Sequence, residues 1–237
     1  MKSSIITVLL ALIASAWGLS IYDIQRPGNP GVDNSYPSTY IGKTVSVEGI
    51  VTASNYRNEG FCISESVSGP WRGILVLDRN NHVNIGDKVQ IRGTVSEIFG
   101  MTCIQDLTQL NITDRNRQLP VPVNVTTGQL MRADEAEAYE GVLVRVLNVT
   151  CTQILGSRGR FGVTDGTGQC FVNANRFTDR SSYLSPKSGD LFSVITGVVI
   201  YSMGEYSINP RHQNDAVTML PTFNQNRSWG RIKSIYK

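Results

Sequence analysis

The side chains in this sequence best suited to hold a polymeric ligand are arginines set beside aromatic rings. Tyr56-Arg57 and Trp71-Arg72 are two such pairs. Arg158, Arg160 and Phe161, followed by Arg176 and Phe177, form a third group. Guanidinium groups meet phosphate or hydroxyl oxygens, and planar rings stack on bases or sugars. Groups for covalent or acid–base chemistry are scarce. The sequence has two histidines, His82 and His212, and no nucleophile elbow, phosphate-binding loop, zinc-protease motif or calcium-loop spacing. Without a Cys-x-x-Cys pair or a histidine near a cysteine, no metal site is expected, and neither catalytic residues nor a cofactor. Glu137 and Glu140 share a helix face by their spacing, which a solvated surface explains better than a catalytic carboxylate pair. Asp165-Gly-Thr-Gly168 reads as a hairpin turn.

The elements that must position these residues follow from an internal repeat. Tyr40-Ile-Gly42-Lys-Thr-Val45-Ser-Val47 recurs as Tyr139-Glu-Gly141-Val-Leu-Val144-Arg-Val146, at an offset of 99 residues. Gly86-Asp87-Lys-Val89-Gln-Ile91 recurs as Gly189-Asp190-Leu-Phe192-Ser-Val194, at an offset of 103. In the first copy Val45, Val47, Gly49 and Val51 alternate with polar neighbours, the period of a strand with one buried face. Further strands are predicted at 61–63, 73–77, 89–95 and from 101. In the second copy they are predicted at 141–149, 160–163, 170–172, 191–201 and 205–208. One helix is predicted between the copies, over 126–139, capped by Thr126 or Thr127. Five strands per copy, with glycine at the bend of a long first strand, predict an all-β chain of two tandem five-stranded Greek-key barrels; one ten-strand sandwich is the competing layout, and the repeat favours the barrels.

Lys2, the apolar run Ile5–Ala14 and the small residues at Ala14-Ser15-Ala16 and Ala16-Trp17-Gly18 predict a secretory signal over residues 1–18. The first barrel is assigned to 19–116, the second to 117–221, and a basic amphipathic tail to 222–237. No later segment is long and apolar enough to span a membrane. The net charge of +3 does not belong to the barrels. Residues 19–116 carry eight Lys+Arg against ten Asp+Glu, and 117–221 carry nine of each. The tail adds Arg227, Arg231, Lys233 and Lys237. A broad basic footprint for a phosphate backbone is therefore absent, and any electrostatic site must be local. Outside the cytoplasm Cys62, Cys103, Cys151 and Cys170 either form the disulfides Cys62–Cys103 and Cys151–Cys170 or remain buried thiols.

Several segments taken together resemble the secreted bacterial OB-fold modules that accompany extracellular nuclease and phosphatase domains. They are Ile21-Tyr-Asp-Ile-Gln25 with Tyr40–Ala53, then Ala138–Val149, and Gly204-Glu-Tyr-Ser-Ile-Asn-Pro-Arg211. The resemblance implies an OB fold and help in binding nucleic acid or another polymer. No hydrolase-like segment accompanies it here, so no catalytic role is expected. In OB barrels the ligand lies across strands 2 and 3 between two loops. That places Tyr56, Arg57, Phe61, Trp71 and Arg72 at the site in the first copy, and Arg158, Arg160, Phe161, Arg176 and Phe177 in the second. Phe61, Phe161 and Phe171, at strand positions, each read first as core. The expected function is a non-catalytic, periplasmic or extracellular binding protein for single-stranded nucleic acid or a polysaccharide. The alternatives are an envelope structural or protein-interaction module, its partner held by the tail, and an accessory subunit of an extracellular nuclease.

Overall fold

Alternation along Thr44–Ile50 buries Val45 and Val47 and leaves Thr44, Ser46 and Glu48 in solvent, whereas every residue from Ile50 to Ala53 is buried. The change marks where one strand passes from one sheet to another. In the computed structural model, which describes residues 18–28, 36–80, 82–156, 159–177, 184–202 and 204–219, strand β1 (Thr44–Tyr56) pairs through its first half with β4 (Lys88–Ile98). Its second half pairs with β2 (Gly60–Ser64). A Cβ at Gly49 would stand 3.1 Å from Ile63 and from the Ser64 carbonyl, so glycine lets the strand turn against its neighbour. Strands β3 (Gly73–Leu77) and β5 (Met101–Asp114) complete a closed barrel in the order β1-β2-β3-β5-β4. β3 and β5 are its one parallel pair.

The second barrel repeats this plan. Strand β6 (Val123–Asn124) lies beside β7 (Leu143–Ile154), which pairs with β10 (Leu191–Ser202) and then with β8 (Arg160–Thr164). Strands β9 (Gln169–Asn173) and β11 (Glu205–Asn209) close it, again through a parallel pair, and β12 (Ala216–Thr218) adds to β10. The repeated glycines do the same work twice. Gly42 (φ 76) and Gly141 (φ 72) donate to Val95 and Val199, both at 2.9 Å. Gly86 (φ 89) and Gly189 (φ 92) donate to Val51 and Cys151, which in turn donate to the Asp87 and Asp190 carbonyls. Left-handed backbone at these four turns favours glycine.

Each core is plugged by helix residues. Ile21 and Ile24 of α1 (Ile21–Gln25) fill the first, and Leu130 of α2 (Thr127–Met131) the second. Thr126 caps α2 in a reciprocal box with Gln129. The helix predicted over 126–139 is interrupted: Arg132 is extended (φ -96, ψ 120), and α3 (Ala133–Ala136) and a 3-10 turn (Glu137–Tyr139) follow. This break overturns the solvated reading of Glu137 and Glu140, which are 3% and 1% exposed. No described helix is long and apolar enough to cross a membrane. Residues 1–17 of the expected signal and all of the tail lie outside the described residues.

The register corrects the disulfide alternative. Cys62 and Cys103 both pair with Leu75, one on each side, and Cys151 and Cys170 flank Val163 in the same way. Two strand spacings put each pair about 9 Å apart, beyond the reach of a disulfide. All four are buried free thiols.

Between the barrels runs a third apolar cluster. Cys62, Leu75, Cys103, Met101 and Ala53 of the first meet Leu143, Val198, Ile200 and Phe177 of the second. Backbones touch at Gly73 and Gly141, where a Cβ on Gly73 would fall 2.2 Å from the Gly141 carbonyl oxygen. Polar groups cross the seam too. Glu140 accepts the Thr102 N–H (2.9 Å), and the Gln25 amide donates to the carbonyls of Gly73 (2.7 Å) and Glu140 (3.2 Å). Arg211, ion-paired with Asp215 at 2.7 Å, donates to the Thr52 carbonyl at 3.1 Å. Glu137 accepts from the Tyr206 hydroxyl, and Glu97 from Thr102.

Gly73→Ala must push the two backbones apart, and we expect it to cost about 3 kcal/mol in urea unfolding. An unchanged midpoint would show that the backbones do not touch. The carboxylates set a pH dependence. Burial, then Glu97, raises Glu137 to about 7 against the opposing Tyr206 bond, and burial with Glu137 and Glu97 raises Glu140 well above 4.5. A raised carboxyl keeps its proton in the folded state, so the associated stability is complete below 4.5 and is lost as pH rises through about 7. Tm should therefore fall between about pH 5 and 8, and Glu137→Gln should flatten the fall. A Tm that climbs over that interval contradicts the assignment.

Candidate binding face

In a barrel of this order the surface available to a polymer is the outer face of strands 2 and 3. In the first barrel that face is occupied. Phe61, Ile63, Ile74 and Val76 point into the core, so Cys62, Leu75 and Leu77 point outward, and these pack in the cluster shared with the second barrel. The first copy's expected site is thereby divided. Tyr56 and Arg57 stand at the Gly60/Leu77 end of the β2–β3 pair, and Trp71 and Arg72 at the Ser64/Gly73 end, about 13 Å away along the strands.

Neither end has the expected open geometry. Tyr56 is 8% exposed and packs on Phe177, with ring centroids 5.5 Å apart. The Trp71 N–H (φ 67) donates to the Ala138 carbonyl at 2.6 Å, and the ring is half-buried. Arg72 pairs with Glu65 and lies 5.1 Å over the Tyr22 ring. Trp71 and Arg72 therefore tie α1 and the second barrel to the loop before β3. Phe61 belongs to the core, as its strand position implies.

The equivalent face of the second barrel carries different side chains. Phe161, Val163, Cys170 and Val172 are core, so Arg160 and Thr164 on β8 and Gln169 and Phe171 on β9 face outward. Phe161, expected among the ligand contacts, is 1% exposed and removed from them. Its place is taken by Phe171, which reads as core by its strand position but stands outside it, half-buried, with the Arg160 guanidinium 5.0 Å over its ring. Gly162 lies opposite Phe171 in the β8–β9 register, and the space a side chain would take there is filled by Thr152, Gln153 and Gln169. Arg160 is held by both oxygens of Glu205 (2.5 and 2.7 Å), and Thr152 donates to Gln169 (3.0 Å). The result is a stacking surface with an oriented cation and amide and hydroxyl groups beside it. Period-two alternation contained this signal: Cys170 and Val172 bracket Phe171, and if they point inward it must point outward.

Arg57 and Arg176 meet at the edge of this face. The Arg57 N–H donates to the Arg176 carbonyl at 2.9 Å. Burial, with Arg57 and Arg160 nearby and Tyr56 opposing, lowers the basicity of Arg176. Three of the expected ligand residues, Arg57, Arg160 and Arg176, are thus brought together from two barrels. Arg158 lies outside the described residues. No group of three or more His, Cys, Asp or Glu among the described residues is arranged to hold a metal ion.

No protein-family model matches the sequence, and no curated protein matches it. Solved structures with a similar strand arrangement include a murine DNA-binding protein bound to double-stranded DNA. It is 11% identical, with 70% of this chain and 90% of that chain covered and a TM-score of 0.36. Another is the Ifi202 HINa domain in complex with a 20-bp double-stranded DNA, 12% identical, with 76% and 96% covered and a TM-score of 0.33. Each is a likeness of strand arrangement only.

Proposed function

We propose that this chain is a non-catalytic binding protein, exported to the periplasm or the extracellular space, that holds single-stranded nucleic acid across the β8–β9 face of its second barrel. The observation that supports this most is the outward, half-buried Phe171 with Arg160 fixed over it on a strand 2–3 face that the other barrel does not cover, while the same face of the first barrel is closed. A base can stack on a ring of this kind in any sequence context, and a guanidinium beside it meets the flanking phosphate. The leader-like residues 1–18 support export. The resemblance to secreted modules supports service as an accessory to extracellular nucleic-acid processing. The nearly neutral barrels and the Thr152–Gln169 pair favour, as a second reading, an uncharged oligosaccharide stacked on the same ring.

Fluorescence anisotropy with a labelled oligothymidylate, at low and at moderate salt, separates the two. Nucleic acid predicts binding that weakens with salt, and loss of about 1–3 kcal/mol on Phe171→Ala at unchanged Tm. Binding of a neutral oligosaccharide that is insensitive to salt and equally lost in Phe171→Ala supports the second reading. No binding of either at low salt sinks both.

A further inference from the structure

Arg57, Arg160 and Arg176 form a cluster that neither barrel contains alone. The β1–β2 turn carrying Arg57 is sharply folded, with Asn55, Arg57 and Asn58 all in left-handed conformations (φ 65, 51 and 59). Its backbone is pinned to the second barrel through the Arg176 carbonyl. The segment bearing Arg176 is pinned to the strand bearing Arg160, since the Ala174 N–H donates to the Gly159 carbonyl at 2.9 Å and Asn173 pairs with Arg160. Tyr56 lies under the Arg57 guanidinium at 6.0 Å and is braced from below by Phe177. Burial raises the Tyr56 hydroxyl, which keeps its proton and remains a donor beside Arg57 and Arg176.

The cluster is short of negative charge. Glu205 serves Arg160, and Glu59 is held by Arg79 at 2.5 Å. Among the described residues no carboxylate pairs with Arg57 or Arg176. The Nε groups of Arg160 and Arg176 are buried and find no acceptor there. Guanidinium groups gathered without carboxylate partners repel one another, a cost that a bound anion at their outer nitrogens offsets. Tetrahedral oxyanions match the forked donors of guanidinium groups arriving from several directions.

We infer that the seam between the barrels is a phosphate-binding pocket, formed by Arg57 from the first barrel and Arg160 and Arg176 from the second. This deepens the reading of the β8–β9 face: the ring holds a base and the seam holds a phosphate of the same strand. It also gives the first barrel a part in binding although its own face is closed.

The test has two arms on the mature full chain. In the first, inorganic phosphate is titrated against chloride at matched ionic strength, read by the arginine Nε–H signals in NMR. Wild type should bind. Arg57→Gln, an exposed position that should not disturb folding, should weaken binding at least fivefold, as should Arg176→Gln, whereas Arg92→Gln on the far strand β4 should not. In the second arm, the salt dependence of oligothymidylate affinity should carry a log–log slope of about −0.7 for the one phosphate held in the seam, and Arg57→Gln should make it shallower. Phosphate binding that is absent, or indifferent to Arg57→Gln and Arg176→Gln, overturns the pocket while leaving the stacking face to its own test. Phosphate binding that depends on these arginines, with no oligonucleotide binding, supports the pocket and removes the nucleic-acid reading.

Discussion

The outer face of β2 and β3 in the first barrel is apolar, and this constraint organises the rest of the molecule. Cys62, Leu75 and Leu77, with Cys103 on the neighbouring strand, would expose a continuous hydrophobic patch if that barrel stood alone. Covering it requires a second surface of matching shape, supplied by Leu143, Val198, Ile200 and Phe177. The fit is close enough that glycine faces glycine at the point of nearest approach, Gly73 against Gly141. The barrels are therefore in close contact, and the choice of face was made by hydrophobic burial: one strand 2–3 face lies in the seam and the other lies outside it.

The two copies share a backbone and differ on their outer faces. The same pairs of hydrogen bonds close the same glycine turns in both, and the same parallel pair closes each barrel. Where the first copy has Cys62 and Leu75 outward, the second has Gly162 and Phe171, flanked by Arg160, Thr164 and Gln169. An inward-facing position has to satisfy a closed core of fixed size, so both copies use Val, Ile and Phe there. An outward-facing position answers to whatever lies beyond the barrel, and it is there that the copies have diverged.

The seam is not uniformly apolar, and its polar part is costly. Glu140 is buried with one oxygen bonded to the Thr102 backbone and the other without a partner among the described residues. Its neighbours Glu97 and Glu137 are carboxylates as well, which is why burial and mutual repulsion keep protons on this group. In return, Gln25 of α1 reaches carbonyls on both barrels, and Thr102 meets Glu140. Directional bonds of this kind favour one docking angle over the slippage that an apolar surface alone would permit.

Much of the fold was legible in the residues themselves. The offsets of 99 and 103 announced two barrels, alternation placed the ten barrel strands but not the short β6 and β12, and of the two threonines offered as a cap Thr126 is the one that serves. These are local properties: period two, a capping side chain and a left-handed glycine depend on a few consecutive residues. Period two also held the orientation of Phe161 inward and Phe171 outward, although aromaticity beside arginine pointed first to Phe161. What only the tertiary structure decided is non-local. It closed one binding face and opened the other, and it drove Glu137 and Glu140 inward after the break at Arg132. It parted Trp71-Arg72 from Tyr56-Arg57 along one strand pair, and it gathered Arg57, Arg160 and Arg176 from two barrels. The physical reason is that a strand's sequence records which of its side chains share a face, but what covers that face is set by the shape and polarity of a surface a hundred residues away.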